Sequence, residues 1–199
     1  MTTLDIIAET VRAGDYGPET PVPIFQHVWE FETLLRLYRQ RAPRHVLEVG
    51  TYHGGTLYHW LQNATPGTTI VAVDSYAVGV DNRHLYPGWT PDDVTLHVVC
   101  GDSHDPATVA KVAEHGPYDW IWIDAGHYYH EVAADWQLYR PLANTGAIVC
   151  LHDILPPSPQ HPEIEVDRLW RQLQRQGHVT QEIVADPVAS WGGVGVVFL

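Results

Sequence analysis

The chain has 199 residues, 45% hydrophobic and 18% charged, enough for one globular domain with a substantial core and too few for two. Its formal net charge of -13 rests on 24 acidic against 11 basic side chains, the latter all arginine except Lys111. That balance excludes a basic face for nucleic acid, and no run reaches the ~18 apolar residues of a membrane span, so a soluble, cytoplasmic protein with small-molecule partners is expected.

Met1 to Asp15 hold acids and no long apolar stretch, which fits neither a signal peptide nor an Arg-rich transit peptide. From Phe25 to Arg41 apolar residues recur at Val28, Phe31, Leu34, Leu35 and Tyr38, the spacing of one helix face, and Pro43 stops that helix. Within this N-terminal segment, residues 1–42, Tyr16, Gln26 and Trp29 belong either to a flap over a cleft or to a helix packed on the surface. Five strand-length apolar runs follow: Val46–Val49, Thr69–Val73, Val94–Val99, Trp120–Ile123 and Ala147–Leu151. Apolar on both faces, they suit a parallel sheet covered by helices on both sides. Helices are predicted between them at Thr56–Gln62, Pro106–Glu114 and Tyr129–Leu142, the second opened by an Asp105 cap and Pro106. Cys100 and Cys150 each end an apolar run and are expected as buried thiols, since a disulfide scaffold would carry more cysteines.

Residues 75–93 form a long connection holding Tyr76, Arg83, His84, Tyr86 and Trp89, where a substrate can be selected. Beyond Leu155 comes a proline-rich loop, residues 156–162, a second candidate lid. A helix at Ile164–Gln176 ends at Gly177, and Val179–Val184 with Val194–Phe198 reads as an antiparallel hairpin.

The first strand runs directly into Glu48-Val49-Gly50-Thr51-Tyr52-His53-Gly54-Gly55-Thr56 and then a helix. Strand, glycine turn, helix is a nucleotide-binding arrangement, and equally an ordinary tight βα turn. A dinucleotide site requires glycine where Tyr52 stands, because there the pyrophosphate approaches the backbone. An NAD-dependent oxidoreductase is therefore disfavoured and a nucleoside without phosphate favoured. Acids stand at successive strand ends: Asp74, 24 residues after Gly50, placed to accept both ribose hydroxyls, and Asp102 in Gly101-Asp102-Ser103, placed to accept from an adenine amino group. Each alone serves equally as a cap or a solvated loop residue. Together, at the carboxyl ends of parallel strands where such ligands bind, they outline one site.

With those residues the chain resembles the class I S-adenosylmethionine (SAM)-dependent methyltransferases, from Val46 to the final hairpin. The resemblance implies an α/β, doubly wound, seven-stranded and mostly parallel sheet of order 3-2-1-4-5-7-6 with a reversed last strand, in a single domain over 1–199. It implies SAM as cofactor, with Glu48 near the methionine amino group and Asp74 on the ribose. Glu48, Gly50, Asp74 and Asp102 then form the cofactor site, with Thr51, Tyr52, Gly54, Ser75, Ser103 and Asp124 beside them.

The fourth strand ends in Ile123-Asp124-Ala125-Gly126-His127 and the fifth in Leu151-His152-Asp153. Adjacent strand ends of a parallel sheet lie side by side, so Asp124, His127, His152 and Asp153 can meet in one cleft. Two carboxylates suit Mg2+ or Mn2+, and an imidazole shifts the preference toward Mn, Fe or Zn. The same four residues serve equally as caps and polar loop residues. The 13 histidines and 8 tryptophans, more than packing alone predicts, favour a polar, metal-capable site. Tyr128, Tyr129 and His130 make either an aromatic wall for a substrate or part of the core.

Ile123 to His130, then Pro141 to Gly146, then Leu151-His152-Asp153 resemble the metal-dependent small-molecule O-methyltransferases that act on sugars and other natural products. The resemblance implies Asp124 and Asp153 as metal ligands, joined by His152 where the metal-binding subgroups carry Asp or Glu, and His127 as general base with Asp124 in the catalytic set. The expected function is transfer of a methyl group to a hydroxyl of a small metabolite with divalent-metal assistance. The alternative is a regulatory protein that binds SAM without transfer. Dimerisation through an apolar, Trp-rich surface is compatible with either.

Overall fold

A computed structural model describes residues 22–159, 161–188 and 191–199. Tyr16 and the remainder of 1–21 lie outside the described residues. Helix α1 (Val28–Arg41) buries Phe31, Leu34, Leu35 and Tyr38, the four-residue spacing seen in the sequence, and ends where Ala42 turns left-handed with its N–H on the Tyr38 carbonyl. Then alternate β1 (His45–Val49), α2 (Gly55–Gln62), β2 (Thr69–Asp74), α3 (Tyr86–Trp89), β3 (Thr95–Cys100), α4 (Pro106–Ala113), β4 (Tyr118–Ile123), α5 (Tyr129–Tyr139) and β5 (Ala143–His152). Helix α6 (Val166–Arg175) and strands β6 (Val179–Ile183) and β7 (Val194–Phe198) complete the described chain.

The seven strands form one sheet in the order β3-β2-β1-β4-β5-β7-β6. The first five pair in parallel, while β7 runs antiparallel to both β5 and β6. The expected order and the reversed last strand are thus present. The reversal follows from a short return: the ten residues between β6 and β7 are too few for a crossover helix, which a parallel pairing requires.

Two core layers sandwich the sheet. One holds Trp60, Trp120 and Trp122 against Phe31 and Tyr38 of α1; the other holds Leu47, Ile121 and Ile123 against α4, α5 and α6. Trp120 and Trp122 share a face because alternate strand residues do, which leaves Ile121 and Ile123 on the other. Truncating any of these buried indoles to alanine costs about 3–5 kcal/mol. Much of the tryptophan excess is therefore core, not site.

Two expectations need correction. Residues 75–93 are not a plain loop: α3 lies within them, and Tyr86 and Trp89 are buried, Trp89 packing edge-on against Tyr58 of α2. Apolar rings in an otherwise polar connection are drawn into the core by their own area. Cys150 is buried, but Cys100 is exposed because it closes β3, an edge strand largely open to solvent. Among the described residues no helix is long and apolar enough to cross a membrane.

Candidate active site

The carboxyl ends of β1, β2, β3, β4 and β5 open on one cavity of about 810 Å³. Its floor is the turn after β1. Gly50 takes φ +90° and Tyr52 a positive φ as well, so the turn doubles back tightly. Asp74 secures it: the Thr51 and Tyr52 N–H groups donate to Oδ2 at 2.9 and 2.7 Å, and the Tyr76 N–H donates to Oδ1 at 2.6 Å. Asp74 still lines the cavity, as do Gly50, Thr51, Tyr52, Ser75, Asp102, Ser103 and Asp124.

Glu48 and Gly54 are absent from that lining. Glu48 is fully buried beneath the turn, where one carboxylate oxygen accepts from Thr56 Oγ1 and, at 3.1 Å, from Trp60 Nε1. Burial pushes its pKa up to about 8. Its position on β1 turns the side chain to the α2 side, and its other carboxylate oxygen is buried without a hydrogen-bond partner. Gly54 instead faces Tyr86 and Trp89.

At the ends of β4 and β5 the expected cluster is assembled. Asp124 Oδ1 lies 3.2 Å from His152 Nδ1, and Asp124 Oδ2 accepts from Gln26 Nε2 at 2.9 Å. Asp153 stands at φ +61°, a left-handed conformation that turns its carboxylate into the cleft. Its Oδ1 accepts the Gly192 N–H at 2.9 Å, and its Oδ2 lies 3.3 Å from His127 Nδ1 and 3.5 Å from His152 Nδ1. Burial opposes charge on His152, but the adjacent Asp153 and Asp124 hold its pKa well above the usual histidine value. The same contacts hold Asp153 below the usual carboxylate range in spite of its burial.

Donor atoms of Asp124, His152 and Asp153 lie within 4.8 Å of one another, and His152 Nε2 is buried without a hydrogen-bond partner. Two hard oxygen donors and one imidazole fit a divalent ion of the Mn2+ kind, and Mg2+ less fully. His127 stands outside this trio. Its ring is oriented by Asp153 through Nδ1, which leaves Nε2 available as a proton acceptor.

Other side chains meet the cavity that sequence reasoning did not assign to it. Phe25 and Trp191 flank its mouth, Phe25 edge-on to Tyr52 at 5.6 Å and Trp191 edge-on to His152 at 6.3 Å between ring centres. His161 and Glu163 line the same side. Long-range contacts hold the segment next to Trp191: Glu30 of α1 accepts the Ala185 and Gly193 N–H groups, and Asp153 accepts the Gly192 N–H. As to the two alternatives for Tyr128, Tyr129 and His130, none of the three lines the cavity, and Tyr129 packs against the core. The Tyr129 hydroxyl donates to Gln172 of α6, and Tyr128 stacks on His130 at the surface. Trp29 is about half exposed and outside the lining, while Gln26 is buried within it.

Comparison with known proteins follows the same lines. Residues 47–154, more than half of the chain, match the family described as "Methyltransferase domain". An uncharacterized protein of Sinorhizobium fredii, y4gI, is 22% identical over 122 residues, 56% of this chain, and the chain spans only 13% of that protein's length. An O-methyltransferase from Bacillus cereus, solved with S-adenosylhomocysteine (SAH), superposes with a TM-score of 0.66 at 14% identity, covering 99% of this chain and 90% of its own. The MycE methyltransferase of the mycinamycin biosynthetic pathway, solved with Mg, SAH and mycinamycin VI, gives a TM-score of 0.60 at 17% identity over 96% of this chain and 54% of its own. At such identities the likeness is one of fold. The match over residues 47–154 places the chain in the methyltransferase domain family, and the sheet has the strand order expected of the class I fold.

Proposed function

We propose that the protein is a SAM-dependent O-methyltransferase of a small hydroxylated molecule, assisted by a divalent ion at Asp124, His152 and Asp153, with His127 as general base. The observation that carries this reading is the convergence of Asp124, His127, His152 and Asp153 at two adjacent strand ends, in the cavity that Asp74 and Asp102 also line. SAM supplies a methyl group already activated on sulfonium, and a divalent ion supplies Lewis acidity toward the acceptor oxygen.

The protein has two tasks left, alignment and proton removal. Asp74 and Asp102 face the cavity from the ends of β2 and β3, where the ribose and adenine of a nucleoside are held in this architecture. Asp124 is fixed by Gln26 and by its own N–H on the Val49 carbonyl at 2.8 Å, so it holds the acceptor side in register with the β1 turn. Asp153 keeps the His127 tautomer with Nε2 toward the cavity, and Nε2 takes the hydroxyl proton as the oxygen bonds the methyl carbon. The carbon–sulfur electron pair returns to sulfur, and SAH leaves.

The test is transfer of label from methyl-labelled SAM to a pool of small hydroxylated metabolites. Replacing His127 with alanine lowers turnover by about 10²–10⁴ while SAH still binds. Full turnover by His127→Ala refutes the base assignment, and thermal stabilisation by NAD but not by SAH refutes the methyltransferase reading.

A further inference from the structure

We propose that the acceptor subsite selects neutral or cationic acceptors with an apolar body and rejects anionic ones, with Glu163 as the specificity-determining residue. The proposal rests on the reading of the cavity as a methyl-transfer site and adds the charge class of the acceptor.

The carboxylates of Asp74, Asp102, Asp124, Glu131, Asp153 and Glu163 line the cavity, and among the described residues no lysine or arginine does. Their partners are backbone N–H groups, histidines and the Gln26 amide: Asp74 holds the β1 turn, Glu131 accepts the Tyr128 N–H, Asp124 accepts from Gln26, and Glu163 Oε1 lies 3.3 Å from His161 Nδ1. None of them is neutralised by a permanent cation. A divalent ion and a sulfonium offset only part of six carboxylates, so the cavity keeps a negative potential, which its low-dielectric walls focus. A carboxylate, phosphate or phosphorylated thioester entering it meets like charge and no basic partner.

The mouth supplies the other half of the recognition. Phe25 and Trp191, 54% and 38% exposed, line it, with Tyr52 edge-on to Phe25. Aromatic faces beside a carboxylate form a recognition set for an ammonium group or an electron-poor ring. Glu163 lines the cavity with its side chain 43% exposed, on the segment that carries His161 and Ile164, where an entering ligand meets it. A separate observation marks the inner end as the place for a polar ligand. Gln26 and His152 belong to the cavity lining, and Gln26 Oε1 and His152 Nε2 are buried there without hydrogen-bond partners, which a polar ligand or ion can supply.

The experiment uses the full chain saturated with SAH and two phenols of nearly equal size and opposite charge, tyramine and para-hydroxyphenylacetate, with binding followed by ligand-observed NMR. Tyramine is expected to bind at least about tenfold more tightly, a ratio that shrinks as salt is raised. Glu163→Gln, a nearly isosteric change at a half-buried position, is expected to reduce the ratio about threefold with SAH affinity unchanged. Equal binding, preference for the carboxylate, binding of neither phenol at millimolar concentration, or an unaltered ratio in Glu163→Gln overturns the proposal. SAH affinity is measured first, and its absence counts against the methyl-transfer reading alone.

Discussion

Gly50→Ala tests whether the β1 turn and the end of β4 are built as one unit. At φ +90° an alanine is strained by about 1–2 kcal/mol whatever surrounds it. Here the new Cβ would also fall 2.5 Å from the Asp124 carbonyl carbon and 2.6 Å from Ala125 Cα, with the Asp124 oxygen nearer still. All three are backbone atoms, so no rotamer relieves the clash, and the overpacking cost is about 3 kcal/mol, the upper end of its usual range. The sum, about 4–5 kcal/mol, corresponds to a Tm lowered by about 8–20 °C for a chain of this size. Gly146→Ala is the control: φ is +80°, yet nothing lies within 4 Å of its would-be Cβ, so only the conformational cost of about 1–2 kcal/mol, roughly 2–8 °C, applies. Calorimetry of both variants measures the difference. Equal losses would show that contact between the turn and Asp124 contributes nothing, and the account of how Asp124 is positioned would fail with it.

Further outcomes follow from the same geometry. Glu48, with its pKa raised to about 8 in the folded protein and an ordinary value when unfolded, stabilises the fold fully at low pH and loses that contribution as pH rises through 8. Relative to wild type, Glu48→Gln should therefore gain about 1.4 kcal/mol per pH unit between pH 5 and 8 and nothing beyond; a difference independent of pH in denaturation curves refutes the buried-acid assignment. Mn2+ at about 100 times its Kd should stabilise wild type by about 2.7 kcal/mol in thermal-shift measurements, an effect that chelator removes. If Asp124→Asn and Asp153→Asn respond to Mn2+ like wild type, the ion binds elsewhere. A maleimide should label Cys100 in the native protein and reach Cys150 only after unfolding, because Cys150 is buried and its burial raises its thiol pKa; two labels on native protein would contradict the β5 placement.

Much of this was legible in the sequence because the underlying signals are local. Periodicity alone located α1 through Phe31, Leu34, Leu35 and Tyr38, and the doubly apolar runs marked a covered parallel sheet. A parallel sheet then brings its carboxyl ends together, so Asp74, Asp102, Asp124 and the His152-Asp153 pair converge without any further information. What the sequence did not disclose was which way a side chain points and which distant residues complete the site. Glu48 stands at a strand end like the other acids, but the facing of β1 turns its carboxylate to Thr56 and Trp60 of α2 and leaves it outside the cavity lining. Tyr129 follows the candidate base directly, but helix α5 carries it away to Gln172. Gln26, Trp191 and Glu163 reach the cavity only through α1, the Glu30 clamp and the segment before α6, contacts between residues far apart in the chain. Strand and helix patterns are set by neighbours a few positions away, whereas the mouth of the cavity is set by packing among segments that no local pattern relates.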